Sequence, residues 1–299
     1  MKIRLMGLGK MGANLALNLN DHGHEVVGYD LSLEARENLT GKLITTTNQL
    51  EVLLKRANNE RLVVWLLVPN QFVDQVIEEI KPFLTKGDII VDGGNSNFNK
   101  SILRYEQLKI QGLNFIDVGT SGGTYGARNG ACLMIGGDQE TFDYLEVVFK
   151  DIAIANGYAY MGAPGAGHFV KMVHNGIEYG MMQAIGEGFE LMEAAPFELD
   201  YEKITKVWNH GSIIESALIG YTHNAFKKDA KLDEIAGRID DSGEGMWMVE
   251  EALKLSVALP VITQSLFTRY KSRDETLFTE KVVAAMRKEF GGHAVYKKK

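Results

Sequence analysis

The hexapeptide Gly7-Leu8-Gly9-Lys10-Met11-Gly12 leaves the start of this 299-residue chain few ways to fold. It has the spacing G-x-G-x-x-G. It follows the apolar run Ile3–Met6 and opens the helical pattern Met11–Asn20. Strand, glycine turn and helix in that order form the first unit of a dinucleotide-binding sheet. Gly7 permits the tight turn, Gly9 lets the backbone approach a pyrophosphate, and Gly12 allows close packing of helix on strand. The helix N-terminus then offers unpaired N–H groups and a positive dipole end to the anion. A purely structural turn is the alternative reading of the same glycines.

The first half continues the alternation. Apolar runs at Glu25–Tyr29, Leu62–Val68, Ile89–Val91, Asn114–Val118 and Cys132–Ile135 read as buried strands, with helical patterns such as Phe72–Phe83 and Lys100–Gln111 between them. This predicts a mostly parallel sheet covered on both faces. Past Gly165 strand-like runs become scarce and helical periodicity dominates. The change falls at the Gly/Pro cluster Met161–Gly167. The expected organisation is an α/β Rossmann-like domain over 1–163 followed by an all-α domain over 164–299, with no internal repeat.

Composition narrows the function classes. A net charge of −7 argues against nucleic-acid binding as the main activity. No apolar run approaches the ~20 residues of a membrane span, and the first residues do not read as a signal peptide. A single cysteine, Cys132, excludes an internal disulfide framework and suits a reducing cytoplasm. Cys132 reads as a small buried hydrophobe in an apolar strand. His22, His24, His210 and His223 show no metal-ligand spacing and read as surface or capping residues.

Asp30 ends the second strand, 18 positions past Gly12, where an acidic residue takes the adenosine ribose hydroxyls. A carboxylate there repels a 2′-phosphate, so NAD is expected as cofactor with NADP as the weaker alternative. Ser32 and Arg36 stand close by, and capping of the next helix is the bland reading of Asp30. Asp92-Gly93-Gly94-Asn95 and Ser121-Gly122-Gly123 end two further strands, where ligands lie in open α/β sheets.

The last feature is a polar helix face. Lys171, His174, Asn175, Glu178 and Tyr179 have the spacing i, i+3, i+4, i+7, i+8 that normally carries the apolar stripe of a helix. At about 1.5 Å rise per residue, Lys171 and Glu178 lie about 10 Å apart along the axis, too far for a local i,i+4 ion pair. A base and an acid flanking a small substrate is the functional reading; a solvated face is the other.

Together these motifs resemble 6-phosphogluconate dehydrogenase, over Met1 to about His293. The shared segments are residues 7–12, 92–95, 121–123, the block Lys171-Met172-Val173-His174-Asn175-Gly176-Ile177-Glu178-Tyr179, and Arg287-x-x-Phe290-Gly291-x-His293. The 171–179 block is the most specific. The wider β-hydroxyacid dehydrogenase superfamily shares the fingerprint and the Ser-Gly-Gly loop but not His-Asn-Gly-Ile-Glu-Tyr. The resemblance implies oxidative decarboxylation of 6-phosphogluconate to ribulose 5-phosphate and CO2, without a metal. It implies Lys171 as general base at the C3 hydroxyl and Glu178 as the acid that protonates C1 of the enediol. Lys171 must then be neutral when it acts, a state that burial or nearby positive charge favours. The resemblance places Leu67, Val68 and Asn95 beside the cofactor. It gives the sugar acid to Asn95, Ser121, Gly122, Gly123, His174 and Asn175, and the phosphate to Tyr179 and Arg269. Arg287 and His293 would reach a neighbouring subunit's site, making the protein at least a dimer.

Two departures stand out. The chain resembles the short bacterial group, not the long form with a roughly doubled helical region. Its loop Asp241–Trp247 has Ser242 and Glu244 where long forms carry a lysine and a threonine for the phosphate. A related, unphosphorylated acid therefore stays open, as does a simple 3-hydroxyacid dehydrogenase; a non-catalytic nucleotide-sensing protein is the third reading.

Overall fold

Alternate residues of the short apolar strands enter two different cores, and this dictates a sheet covered on both faces. Ile3 and Leu5 of β1 (Lys2–Met6), Val63 and Trp65 of β4 (Val63–Leu66), and Ile89 and Val91 of β5 (Ile89–Asp92) join one apolar cluster. Met6, Val64, Leu66 and Ile90 join the other. Such period-two burial on both sides is the pattern of a sheet sandwiched by helices. In the computed structural model, which describes residues 1–39, 41–42, 44–57, 60–292 and 294–296, the remaining strands are β2 (Glu25–Tyr29), β3 (Thr45–Thr47), β6 (Asn114–Ser121), β7 (Ala131–Gly137) and β8 (Ala153–Gly162). The eight are ordered β3-β2-β1-β4-β5-β6-β7-β8. All neighbouring pairs are parallel except β6 with β7.

One face is packed by α1 (Lys10–Asp21) and α7 (Gln139–Ile152), through Leu15, Leu19, Phe142 and Phe149. The other is packed by α4 (Val73–Ile80) and α5 (Phe98–Ile110), through Val73, Ile77, Ile80 and Leu108. Short helices α2 (Leu33–Glu37), α3 (Leu50–Leu53) and α6 (Gly123–Asn129) fill the connections. The helix α8 (Ala166–Glu193) follows β8. Then come α9 (Tyr201–Trp208), α10 (Ala217–Lys228), α11 (Glu244–Leu255), α12 (Pro260–Ser272) and α13 (Phe278–Gly291), with no strand among the described residues. The chain divides into two compact units, Met1–Asn175 and Gly176–Lys299.

Strands β3 and β8 escape the sequence reading for physical reasons. β3 is three threonines at one edge, and β8, at the other edge, packs on the core only through the partly buried Ala153, Tyr158 and Tyr160, so neither shows a buried apolar run. Cys132 is a correction. It is exposed, because the antiparallel β7 starts at the carboxyl end of β6, pairing Cys132 with Ser121 at the end of the sheet where ligands enter. His24 is a second correction. It is only 5% exposed, held between the amino terminus at 2.9 Å and Asp151 at 3.0 Å. His22 and His210 do cap, through Nδ1 on the carbonyls of Asn18 and Lys206.

Candidate active site

The glycine turn has the shape a pyrophosphate needs. Gly7 has φ +96°, and a Cβ there would lie 2.5 Å from the Leu67 carbonyl oxygen. A Cβ on Gly12 would lie 1.8 Å from the Gly7 carbonyl oxygen. These two glycines are demanded by packing, whereas nothing stands within 4 Å of the Cβ direction of Gly9. Gly9 is the N-cap of α1 and no side chain caps this end, so the first amides of Lys10, Met11 and Gly12 face the open side of the turn. The residues thus fit a dinucleotide phosphate.

Asp30 stands at the end of β2. One carboxylate oxygen accepts the Leu8 N–H at 2.8 Å, and the other accepts the Ser32 N–H at 2.8 Å. Each oxygen keeps lone pairs for a ribose hydroxyl. Ser32, not Asp30, caps α2, through its Oγ on the Ala35 N–H. Arg36 turns inward and donates to the carbonyls of Asp30 and Leu31 at 2.6 and 3.0 Å. Leu67 and Val68 pass between two glycine turns: the Val68 carbonyl oxygen would meet a Cβ on Gly94 at 3.2 Å. Asn95, next in line, is exposed. Asp92 anchors this turn from below. It is fully buried, accepts the Gly94 N–H at 3.3 Å and is paired with Arg104 at 2.9 Å.

Along β6, Asp117, Gly119 and Ser121 share one face. Gly119 lies against Lys171, where an added Cβ would come within 2.4 Å of the lysine Cβ. Ser121 Oγ is 3.1 Å from His174 Nε2. His174 Nδ1 is 3.0 Å from Asn175 Oδ1 and 3.5 Å from Lys171 Nζ. With the proton placed on Nδ1, His174 donates to Asn175 and accepts from the Ser121 hydroxyl. Lys171 is 8% exposed. Gly122 and Gly123 follow with φ +110° and +60°, starting α6 in a conformation that favours glycine. The first unit therefore brings together Lys171, His174, Asn175 and Ser121.

The second unit gathers another group. Tyr179 is buried, and the Arg269 guanidinium carbon lies 3.5 Å from its ring centre, a cation–π contact. Arg269 also donates to the Asp240 carbonyl at 2.9 Å. Gly245 is required here, since a Cβ would lie 2.7 Å from the Tyr179 ring. The Ser242 N–H donates to the Tyr179 hydroxyl at 3.4 Å, and Ser242 Oγ donates to a Glu244 carboxylate oxygen at 2.7 Å. Glu244 is 1% exposed, and its Oε1 has no hydrogen-bond partner. Glu178 is half-buried on α8. Arg287 stands exposed on α13, outside the Tyr179 group, and His293 lies outside the described residues.

Sequence reading passed over two buried residues of the first unit, Ser101 and His168. His168 is 1% exposed, with Nδ1 2.7 Å from the Ser101 Oγ. No motif links positions so far apart; the one signal in the sequence is a histidine three residues before Lys171.

Comparison with known proteins gives one consistent family. Residues 2–162 match the model for the NAD binding domain of 6-phosphogluconate dehydrogenase, and residues 167–295 match the model for its C-terminal domain. A Bacillus subtilis (strain 168) protein, YqeC, provisionally named a 6-phosphogluconate dehydrogenase, is 52% identical with both chains fully covered. An NAD(+)-dependent, decarboxylating 6-phosphogluconate dehydrogenase of Haloferax volcanii is 38% identical, covering 100% of this chain and 99% of the relative. A solved 6-phosphogluconate dehydrogenase of Plasmodium falciparum superposes with a TM-score of 0.82 at 30% identity, over 98% of this chain and 66% of that one. A Mycobacterium tuberculosis 3-hydroxyisobutyrate dehydrogenase shares the fold at a TM-score of 0.72 and 18% identity, over 90% and 92% of the two chains. No helix among the described residues is long and apolar enough to cross a membrane. With an NAD(P)-binding sheet, a lysine–histidine–serine cluster at its ligand end and both family models matched in order, the chain belongs to the 6-phosphogluconate dehydrogenase family of oxidoreductases.

Proposed function

We propose that this protein oxidatively decarboxylates 6-phosphogluconate to ribulose 5-phosphate and CO2, with NAD as the preferred oxidant. The observation that supports this most is Lys171, buried beside Gly119 and 3.5 Å from His174, which itself reaches Ser121. The bound cofactor would accept a hydride from C3. Lys171 takes the proton of the C3 hydroxyl as the 3-keto acid forms, then returns it to the C3 carbonyl oxygen as CO2 leaves and that oxygen becomes a hydroxyl of the enediol. Glu178 protonates C1 of the enediol. Asn95, Ser121, Gly122, Gly123, His174 and Asn175 orient the sugar acid, while Tyr179 and Arg269 take its phosphate. NAD is favoured because the Asp30 carboxylate occupies the place of a 2′-phosphate and Arg36 is spent on backbone carbonyls. The site is completed in a homo-oligomer, with Arg287 and His293 reaching a neighbouring copy; the domain limits 1–163 and 164–299 belong to the same proposal, as does a cytoplasmic location.

Initial rates with 6-phosphogluconate or gluconate, against NAD or NADP, with CO2 measured in parallel, test the reading. Matched NADH and CO2 from 6-phosphogluconate is the expected result, and NADH without CO2 would sink it. A second reading, oxidation of an unphosphorylated 3-hydroxy acid, is favoured by one observation: the Glu244 carboxyl sits within the Ser242–Tyr179–Arg269 group, where it opposes a phosphate. Preference for gluconate, with Glu178→Gln fully active, would select it.

A further inference from the structure

The first turn of α8 has no local cap. The residues before it are Gly162-Ala163-Pro164-Gly165, none with a side chain able to accept a backbone N–H. Other helices of this chain are capped by the residue just before them: Ser32 for α2, Asn97 for α5, Asp200 for α9 and Ser216 for α10. At α8 the acceptor comes from a strand 48 residues away in sequence. Asp117 of β6 accepts the Gly165 N–H on Oδ1 at 2.7 Å and the His168 N–H on Oδ2 at 2.8 Å. These are the N-cap and N3 amides, the two donors that a local capping box satisfies with two separate side chains. One carboxylate does both here, and it is fully buried.

The docking is tight as well as bonded. A Cβ on Gly136 of β7 would lie 2.5 Å from the Gly167 nitrogen and 2.8 Å from Asp117 Oδ1. A Cβ on Gly167 would lie 2.6 Å from the Asp117 carbonyl oxygen. Two residues further along the same face of β6, Gly119 lies against Lys171; two more, and Ser121 bonds His174. Residues 117, 119 and 121 thus meet the helix at its cap, its lysine and its histidine in turn. We propose that Asp117 is a positioning residue that sets the register of α8 on β6 and thereby places the Lys171 amine beside the substrate carbon. It touches no substrate and acts through the helix. Burial pushes the Asp117 carboxyl above the usual carboxylate range, against the pull of His168 and the two amides. Loss of the cap lets the first turn fray, and a shift of about 1 Å at a reacting group costs on the order of a hundredfold in rate.

Amide exchange of the cofactor-free protein tests the cap independently of any substrate. The Gly165 and His168 amides should exchange at least about tenfold more slowly than those of Met11 and Gly12 in the uncapped first turn of α1. Asp117→Asn, whose amide group meets one of the two N–H donors with a donor, should raise those two rates about tenfold. The kinetic arm rests on the 6-phosphogluconate reading: kcat should fall about 30- to 100-fold with KM for NAD within twofold of wild type. Deuterium at C3 should give a larger isotope effect in the variant than in the wild type, since the shifted lysine slows hydride loss. If the wild-type protein leaves 6-phosphogluconate untouched, that reading fails while the exchange comparison still decides the cap. Wild-type amides at 165 and 168 that exchange as fast as those of α1 overturn the proposal even when the variant does not fold. So does Asp117→Asn with unchanged kcat, or with NAD binding lost as severely as turnover.

Discussion

In the first unit, alternate residues of β1, β4 and β5 reach two large apolar cores, and Trp65 is wholly buried with its ring edge-on to Phe149 at 6.0 Å. In the second, the apolar cluster is smaller, built on Phe189, Tyr201 and Phe226, whose ring centres lie 4.9–5.4 Å apart. Phe278, Val282, Val283 and Met286 of α13 stand exposed at helical spacing, as do Val261 and Phe267 of α12. A sheet buried on both faces closes its own core; a set of amphipathic helices does so only when every stripe finds a partner. Within the first unit Lys171 and His174 are fixed by strands beneath them. Within the second, Tyr179 and Arg269 are held by the start of α11, Ser242–Gly245, and by each other.

The largest effect should come from the lysine of the first unit. Lys171→Met is expected to lower kcat on the order of a thousandfold while NAD binding, measured by calorimetry, stays intact. Lost NAD affinity in that variant would mean that Lys171 serves the scaffold and not the chemistry. Next is the stability of the sheet. Asp88 is 1% exposed and accepts from Arg56 at 2.6 and 3.0 Å and from the amides of Leu62 and Thr85 at 2.8 and 2.7 Å. Asp88→Ala leaves the Leu62 and Thr85 amides and a half-buried guanidinium without their acceptor, and urea unfolding should show a loss of about 3 kcal/mol.

The same residue sets a pH dependence. Burial raises the Asp88 carboxyl, but Arg56 and the two amides together hold it below its ordinary value. A carboxyl held low in the folded state contributes stability that is complete above its unfolded value, about 3.9, and is lost as pH falls through the folded one. Acid unfolding of the wild type should therefore steepen below about pH 4, and Asp88→Ala should flatten that limb. An unchanged limb would assign acid sensitivity to other carboxylates.

A smaller effect is expected at the cofactor. Asp30→Ala should weaken NAD binding about tenfold to a hundredfold and narrow the gap to NADP. The smallest change in stability should come from the uncovered helix. Val283→Glu on α13 should alter unfolding by no more than about 0.5 kcal/mol. It should nevertheless shift the mass measured by light scattering towards the monomer if that stripe is covered by a second copy. An active wild-type monomer would break the oligomer proposal altogether.

Much of this was legible in the linear chain. The glycine hexapeptide, Asp30, the loops at 92–95 and 121–123 and the polar face at 171–179 all rest on short-range rules: a turn that only glycine permits, a strand end, a helical period. Sequence could therefore declare an α/β sheet and a dinucleotide turn, while the family came from the resemblance of these motifs. It could not see β3 and β8, edge strands made of threonines and of mostly exposed residues with no buried apolar run. Nor could it see that Cys132 is exposed or His24 buried, since β7 reverses direction and His24 meets the amino terminus and Asp151. The chief gain from tertiary structure is Asp117. Its residue type in the middle of a strand says nothing about which amides it will meet. Only the packing of Gly119, Gly136 and Gly167 brings the α8 N-terminus onto β6, where two orphan N–H groups meet one buried carboxylate.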